Sequence, residues 1–209
     1  TLDLLSGGRF EFGMGAGYLL ADYTEMGIPF ESPGTRIGRL EEALRLMEQL
    51  FTEETVNFSG KYYTLTEMQG KPKPVQKPHP PIFLGASGKR LLSIAAQRAN
   101  TIGIGFSVWR SEITEVKPEE IAQKIAWVRE AAGERFEQLE LGYTVFQMML
   151  MEGKTEGPFP QSVHVLAGSV EQIIETILAR REKYGFSYVQ VMEQQMEAFA
   201  PVVARLAEK

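Results

Sequence analysis

Pro80-Pro81-Ile82-Phe83-Leu84-Gly85-Ala86-Ser87-Gly88-Lys89-Arg90 decides how the rest of the chain is read. Two prolines precede a short apolar run, and a small-residue turn ends it. A helical pattern of Leu91, Leu92, Ile94, Ala95, Ala96 and Ala99 follows. The spacing predicts strand, tight turn and helix start. Gly85 and Gly88 lack a Cβ, so backbone amides there can come close to a ligand. Ser87 suits a helix N-cap. Free N–H groups at a helix start attract anions, phosphate above all, and Lys89 and Arg90 add positive charge. The stretch reads either as a phosphate-binding turn or as an ordinary βα turn whose glycines only satisfy geometry.

Outward from that stretch, composition narrows the choices. The 209 residues are 44% hydrophobic and 23% charged, enough for a sizeable core in one domain. A net charge of -5 argues against nucleic acid as a partner, which needs a basic surface. There is no cysteine, which excludes disulfides, thiolate catalysis and zinc–thiolate sites. With only His79 and His164, a multi-histidine metal centre is not expected. No apolar run approaches the roughly 20 residues of a membrane helix, and no signal-peptide pattern is present. A cytoplasmic enzyme is the expectation.

Upstream, Leu2 to Gly8 reads as a last helical turn stopped by glycine. Arg9 to Tyr18 reads as a short apolar strand with glycines at 13, 15 and 17. It lacks the third glycine of a dinucleotide fingerprint. Those glycines fit either close approach of a ligand or tight packing on a neighbouring strand. Ala21 to Thr35 is expected to be irregular, with Tyr23, Met26, Ile28 and Phe30 buried and Thr35 capping the next helix. That helix carries Ile37, Leu40, Leu44, Met47, Leu50 and Phe51 on one face, and pairs Glu41 with Arg45 on the other. Val56 to Leu65 reads as a small β-hairpin or an extended loop. Lys71 to Pro81, with five prolines, is a stiff connector. Residues 19–80 are therefore expected to form an insertion subdomain.

Downstream, Thr101 to Phe106 is a glycine-punctuated strand. Pro118 starts a helix with Ile121, Ile125 and Val128 inward, and Gly133 stops it. Leu139 to Phe146 is a strand, and Gly153 to Pro160 a polar loop. Ser169 and Gln172 form a capping box for a helix bearing Ile173, Ile174, Ile177 and Leu178, ended by Gly185. Phe186 to Val191 is the last strand. In the final helix Pro201 is either a kink or the first residue. Five strands alternating with helices predict a parallel α/β sheet, whose ligand sites form at the strands' carboxyl ends. Gly15-Ala16-Gly17 and Gly85-Ala86-Ser87-Gly88 both fall there.

Ser6-Gly7-Gly8-Arg9-Phe10 followed by Gly13-x-Gly15-Ala16-Gly17-Tyr18 resembles the fourth strand of the luciferase-like monooxygenase superfamily. Gly27-Ile28-Pro29-Phe30, Pro33-Gly34 and Arg39 to Ala43 are similar to the insertion that follows that strand. Pro74 to Gly85 is the most specific match. Lys124 to Gly133 and Pro201 to Leu206 look like the branch of F420-dependent oxidoreductases. The resemblance implies a (β/α)8 barrel, of which this chain would hold strands four to eight as a partial TIM barrel, the C-terminal part. Its two sheet edges would then be exposed, and completion by a homodimer is one alternative to a fragment.

It also implies hydride transfer between coenzyme F420, or a flavin, and an organic small molecule. An FMN-dependent monooxygenase is the alternative. Gly85, Ala86, Ser87, Gly88 and Lys89 would hold the cofactor phosphate. Gly15, Ala16, Gly17 and Tyr18 would line the neighbouring floor, unless Tyr18 only packs there. Two other classes remain: a non-catalytic cofactor-binding remnant, and an aldolase- or isomerase-type phosphate barrel, although neither Lys61 nor Lys89 lies within a strand. No residue is named as catalytic. His79 precedes its strand and reads as structural, His164 as a hydrogen-bonded histidine, and Glu11 as an inward carboxylate needing a partner.

Overall fold

The computed structural model describes residues 1–105, 107–109, 112–114, 117–153 and 162–207. The expected strand residue Phe106 and the loop residues 154–160 lie outside them. Strands are numbered in chain order: β1 Phe12–Met14, β2 Val56–Ser59, β3 Thr64–Met68, β4 Ile82–Ala86, β5 Thr101–Ile104, β6 Ser107–Trp109, β7 Glu112–Thr114, β8 Glu140–Val145, β9 Gln147–Leu150, β10 Val165–Gly168 and β11 Phe186–Val191. The helices are α1 Leu2–Leu5, α2 Leu20–Glu25, α3 Pro33–Thr52, α4 Lys89–Arg98, α5 Pro118–Ala132, α6 Val170–Tyr184 and α7 Met196–Leu206.

One sheet organises them. Its order is β1-β4-β5-β8-β11, and every neighbour is parallel. Alternation decides the faces. Ile82, Leu84 and Ala86 of β4, Ile102 and Ile104 of β5, and Leu141, Tyr143 and Val145 of β8 are buried on one side. Against them pack Leu40 and Leu44 of α3, Leu92 and Ala96 of α4, Ile121 and Val128 of α5, and Ile173 and Ile177 of α6. Each fully buried Leu or Ile is worth about 1.5–3 kcal/mol, so this layer carries most of the stability.

The opposite face carries Glu11, Phe83, Thr101, Thr144 and Tyr188. It is rolled into a trough. Tyr188 of β11 donates to Glu11 Oε2 at 3.0 Å, although β11 and β1 are the two edges of the sheet. In a flat sheet four strand spacings of about 4.8 Å would separate those edges, farther than the two side chains can span. Thr101 Oγ1 donates to Glu11 Oε1 at 3.0 Å. Glu11 does point inward, but its partners are two hydroxyls. The sheet is open: β1 and β11 do not pair.

Local signals explain most element ends. Ser169 accepts from Gln172 N, and the Gln172 side chain returns the bond to Ser169 N, completing the capping box. Gly185 closes α6 at φ 74°. Three expectations change and one open choice is decided. Ala21–Glu25 is helical, and Met26, Ile28 and Phe30 are exposed. That segment packs on itself, with Phe30 edge-on to Tyr23 and the Arg36 guanidinium 4.0 Å from the Phe30 ring. Ser32, not Thr35, caps α3 and accepts from Thr35 N, with Pro33 in the first turn. Glu41 lies 3.9 Å from Arg90 rather than pairing with Arg45. Pro201 sits inside α7, which starts at Met196.

Two buried polar anchors, Glu42 and Asp3, were not expected. Glu42 of α3, 4% exposed, accepts from the N–H groups of Lys61, Tyr62 and Tyr63, fixing the antiparallel β2–β3 hairpin. Asp3, 3% exposed, receives both N–H and Nε2 of Gln76, which in turn bonds Phe10 O. These bonds seat the proline-rich connector beneath β1.

Candidate functional site

The carboxyl ends of β1 and β4 lie side by side, because Met14 registers with Leu84. The next residues are Gly15 and Gly85. Gly13, Gly15, Gly85 and Gly88 share a property. None has a positive φ, and a Cβ built on any of them would meet nothing within 4 Å among the described residues. Neither backbone conformation nor packing demands glycine at these four positions. Gly17 differs: it has φ 72°, and a Cβ there would run into the Tyr23 ring, whose hydroxyl donates to Ala16 O at 3.3 Å. Tight packing therefore explains Gly17, and not Gly13 or Gly15. Tyr18 follows at the rim, half exposed.

After β4 the structure revises one detail. Gly88, in an extended conformation, is the N-cap of α4, and no side chain caps the helix. Ser87 lies one residue too early, because β4 continues through Ala86. The first N–H groups of α4 thus have no side-chain acceptor, which leaves them available to an anion. Ala86 turns its methyl into the core, and its carbonyl accepts from Gly105 N at 2.7 Å. Lys89 opens the helix, its ammonium 3.4 Å from Glu130 in an exposed pair. Arg90 points away, donating to Gly34 O.

Three buried titratable side chains lie around the ends of β5 and β8. Lys124 of α5, 4% exposed, donates to Gly105 O at 2.7 Å, and burial pushes its pKa below the usual lysine value. His164, 5% exposed, bonds Thr144 O through Nδ1 at 2.7 Å. Burial lowers its pKa first; the Thr144 bond opposes that, and the positive charges of Lys124 and Arg180 add to it. Arg180 of α6 holds the carbonyls of Ser162, Val163 and Val165, so it clamps the segment carrying His164. By sequence Arg180 falls in the last turns of its helix, where cations are favoured, and Lys124 carries no separate signal. The signal common to both is a charge on the apolar stripe of each helix: Lys124 falls between Ile121 and Val128, and Arg180 follows Ile177 by three. His79 sits before β4, bonded to Pro80 O.

A cleft of about 350 Å³ lies at the other end of the sheet, lined by Arg9, Glu11, Gln76, Asn100, Thr101 and Glu140. These residues precede or begin their strands. In parallel α/β folds that end serves stability, and ligands are taken at the carboxyl ends. Among the described residues no helix is long and apolar enough to cross a membrane.

The profile of the luciferase-like monooxygenases matches residues 1–150. The chain belongs to that family. It is 31% identical over 97 residues to an FMNH2-dependent dimethylsulfone monooxygenase of Pseudomonas putida, covering 46% of this chain and 27% of that protein. It is 29% identical over 140 residues to an F420-dependent glucose-6-phosphate dehydrogenase of Amycolatopsis mediterranei, covering 67% and 40%. This luciferase-like chain therefore spans well under half the length of these two relatives. Among solved structures it is similar to an F420-dependent secondary alcohol dehydrogenase in complex with an F420–acetone adduct, with a TM-score of 0.72, 17% identity, 91% of this chain and 66% of that one. An EDTA monooxygenase gives 0.73 at 13% identity, over 99% and 68%. At such identities the structures share the fold. The relatives are oxidoreductases and monooxygenases, some named for F420 and some for FMN.

Proposed function

We propose that this chain binds coenzyme F420 and belongs to an F420-dependent oxidoreductase that moves a hydride to or from an organic small molecule. One observation carries the reading: Gly15, just after β1, and Gly85, near the end of β4, leave their Cβ positions vacant beside the uncapped start of α4. Gly13 and Gly85 lie inside strands, where glycine costs about 0.5–1 kcal/mol, so a packed α/β protein without a ligand there has no reason to keep them bare. Gly85, Ala86, Ser87, Gly88 and Lys89 would hold the phosphate, mainly by backbone N–H groups, the Ser87 hydroxyl and the Lys89 charge. Gly15, Ala16, Gly17 and Tyr18 would line the adjoining floor. When bound, the deazaflavin would supply the hydride donor or acceptor; this chain binds and orients it.

The rolled sheet, covered by helices on its outer face and with its strands in sequence order, supports reading it as the wall of a (β/α)8 barrel holding strands four to eight. Residues 19–80 would then be an insertion beside the mouth. A second copy of the chain would cover an open edge.

The test is a titration of the purified protein with F420 and with FMN. F420 should bind tighter. A preference for FMN would move the chain to the monooxygenase reading, and binding without turnover to the remnant. Ser87→Ala and Gly88→Leu should each weaken F420 binding, Gly88→Leu by about tenfold or more, the equivalent of 1.4 kcal/mol. Unchanged affinity in both would remove the turn from the site.

A further inference from the structure

We infer that Lys124 is a positioning residue for the turn at Gly85–Lys89, acting on it through Gly105; this rests on the cofactor reading above. Lys124 is 4% exposed and lies on the buried stripe of α5. Taking an ammonium out of water is costly unless it is hydrogen-bonded or paired. Its acceptor here is a main-chain carbonyl, Gly105 O at 2.7 Å. Gly105 is the residue after β5, and its own N–H donates to Ala86 O at 2.7 Å. A Cβ on Gly105 would stand 3.2 Å from that same oxygen and 3.6 Å from Ser87 Cβ. Gly105 thus lies flat against the segment that enters the turn, and Lys124 holds it there from behind.

β5 ends at Ile104, so the β4–β5 ladder does not fix this carbonyl. The ammonium replaces that constraint with a charge-assisted bond, roughly twice as strong as a neutral one. It also places a positive charge behind the uncapped start of α4. Glu120 on the same helix and His164 across from it are the titratable groups that sense Lys124. The ordering action of Lys124 is exerted through its bond to Gly105 O. Burial against a carbonyl, at the one residue that both follows β5 and touches Ser87, is what an apolar residue on this stripe would not provide.

The experiment uses Lys124→Met, which keeps length and fills the volume, and Lys124→Arg, which restores a cation. Amide hydrogen exchange is read in the ligand-free protein, and F420 affinity by titration. In Lys124→Met the Gly105 amide should exchange about tenfold faster or more, as expected for losing a bond to a charged donor. The Phe12 amide, bonded to Pro81 O at the far end of the sheet, should be unchanged. F420 affinity should fall about tenfold, and Lys124→Arg should recover part of both. Unchanged Gly105 exchange, or acceleration spread equally to Phe12, overturns the inference. If wild-type protein binds neither F420 nor FMN while Gly105 still accelerates in Lys124→Met, the cofactor reading has failed while the hold of Lys124 on Gly105 stands.

Discussion

Gly85 and Gly142 stand in one row of the sheet yet face opposite situations. Register pairs Gly85 with Gly103, Gly103 with Gly142, and Gly142 with Tyr188. At Gly142 a Cβ would come 2.6 Å from Tyr188 O and 2.9 Å from Tyr188 Cβ. At Gly103 it would meet the tip of the Phe83 ring at 2.6 Å. At Gly85 it would meet nothing within 4 Å among the described residues. The Phe83 and Tyr188 rings, 5.7 Å apart, fill the trough over the first two positions and stop short of the third. Two glycines in the row serve the protein's own packing; the third fits something from outside. An alanine series separates them. Gly142→Ala pushes against backbone and should lose about 2 kcal/mol, roughly 4–8 °C in Tm. Gly103→Ala should lose less, because a ring can swing. Gly85→Ala should gain about 0.5 kcal/mol by restricting the unfolded chain. Urea unfolding measures all three, and equal losses at Gly85 and Gly142 would erase the distinction.

The next effect belongs to the end of the trough that the chain closes for itself. Tyr188→Phe keeps the ring over Gly142 and removes the donor to Glu11. The carboxylate then retains Thr101 alone. The expected loss is about 1.5 kcal/mol, the low end of the worth of a hydrogen bond to a charged group, read as a lower urea midpoint with an unchanged slope. F420 affinity should not move. A parallel loss of affinity would mean that the two ends of the trough are coupled rather than separately built.

The sheet was legible because its signals are local. Apolar runs entered directly after Pro81 and Gly185 marked Ile82–Ala86 and Phe186–Val191, and the Leu91–Ala99 and Ile173–Ile177 stripes marked helices. Ser169 with Gln172 fixed a helix start to the residue. What escaped depends on partners far along the chain. Glu42 looks like any surface glutamate until Lys61, Tyr62 and Tyr63 present their N–H groups. Arg180 looks like a helix-end cation until Ser162 to Val165 fold under it. The glycines divide the same way. Gly13, Gly15 and Gly17 are one pattern in sequence, and only Tyr23 tells the packed one from the open ones. The Ser87 cap failed by one residue, since a strand's last residue is set by pairing with β5.

The smallest expected effects concern acid, and they fall in two pH windows set by different ends of the molecule. His164 near the carboxyl ends has a folded pKa below its ordinary 6.5, burial being the first cause. The unfolded chain therefore binds its proton more readily. Its contribution to stability is present above pH 6.5 and declines as pH falls toward the folded value. Asp3 and Glu42 follow the carboxylate case. Burial raises both pKa values, but hydrogen bonds, from Gln76 for Asp3 and from Tyr62, Tyr63 and Lys61 for Glu42, outweigh it and leave both below their ordinary 3.8 and 4.5. Their stabilisation is present above those values and is lost as pH falls through the lowered ones. Stability plotted against pH should therefore bend twice. His164→Asn should remove the bend just below pH 6.5 and leave the lower one. Asp3→Asn should flatten the lower one, because an amide bears no charge for Gln76 to stabilise. A profile in which His164→Asn leaves the upper bend in place would show that another group sets it.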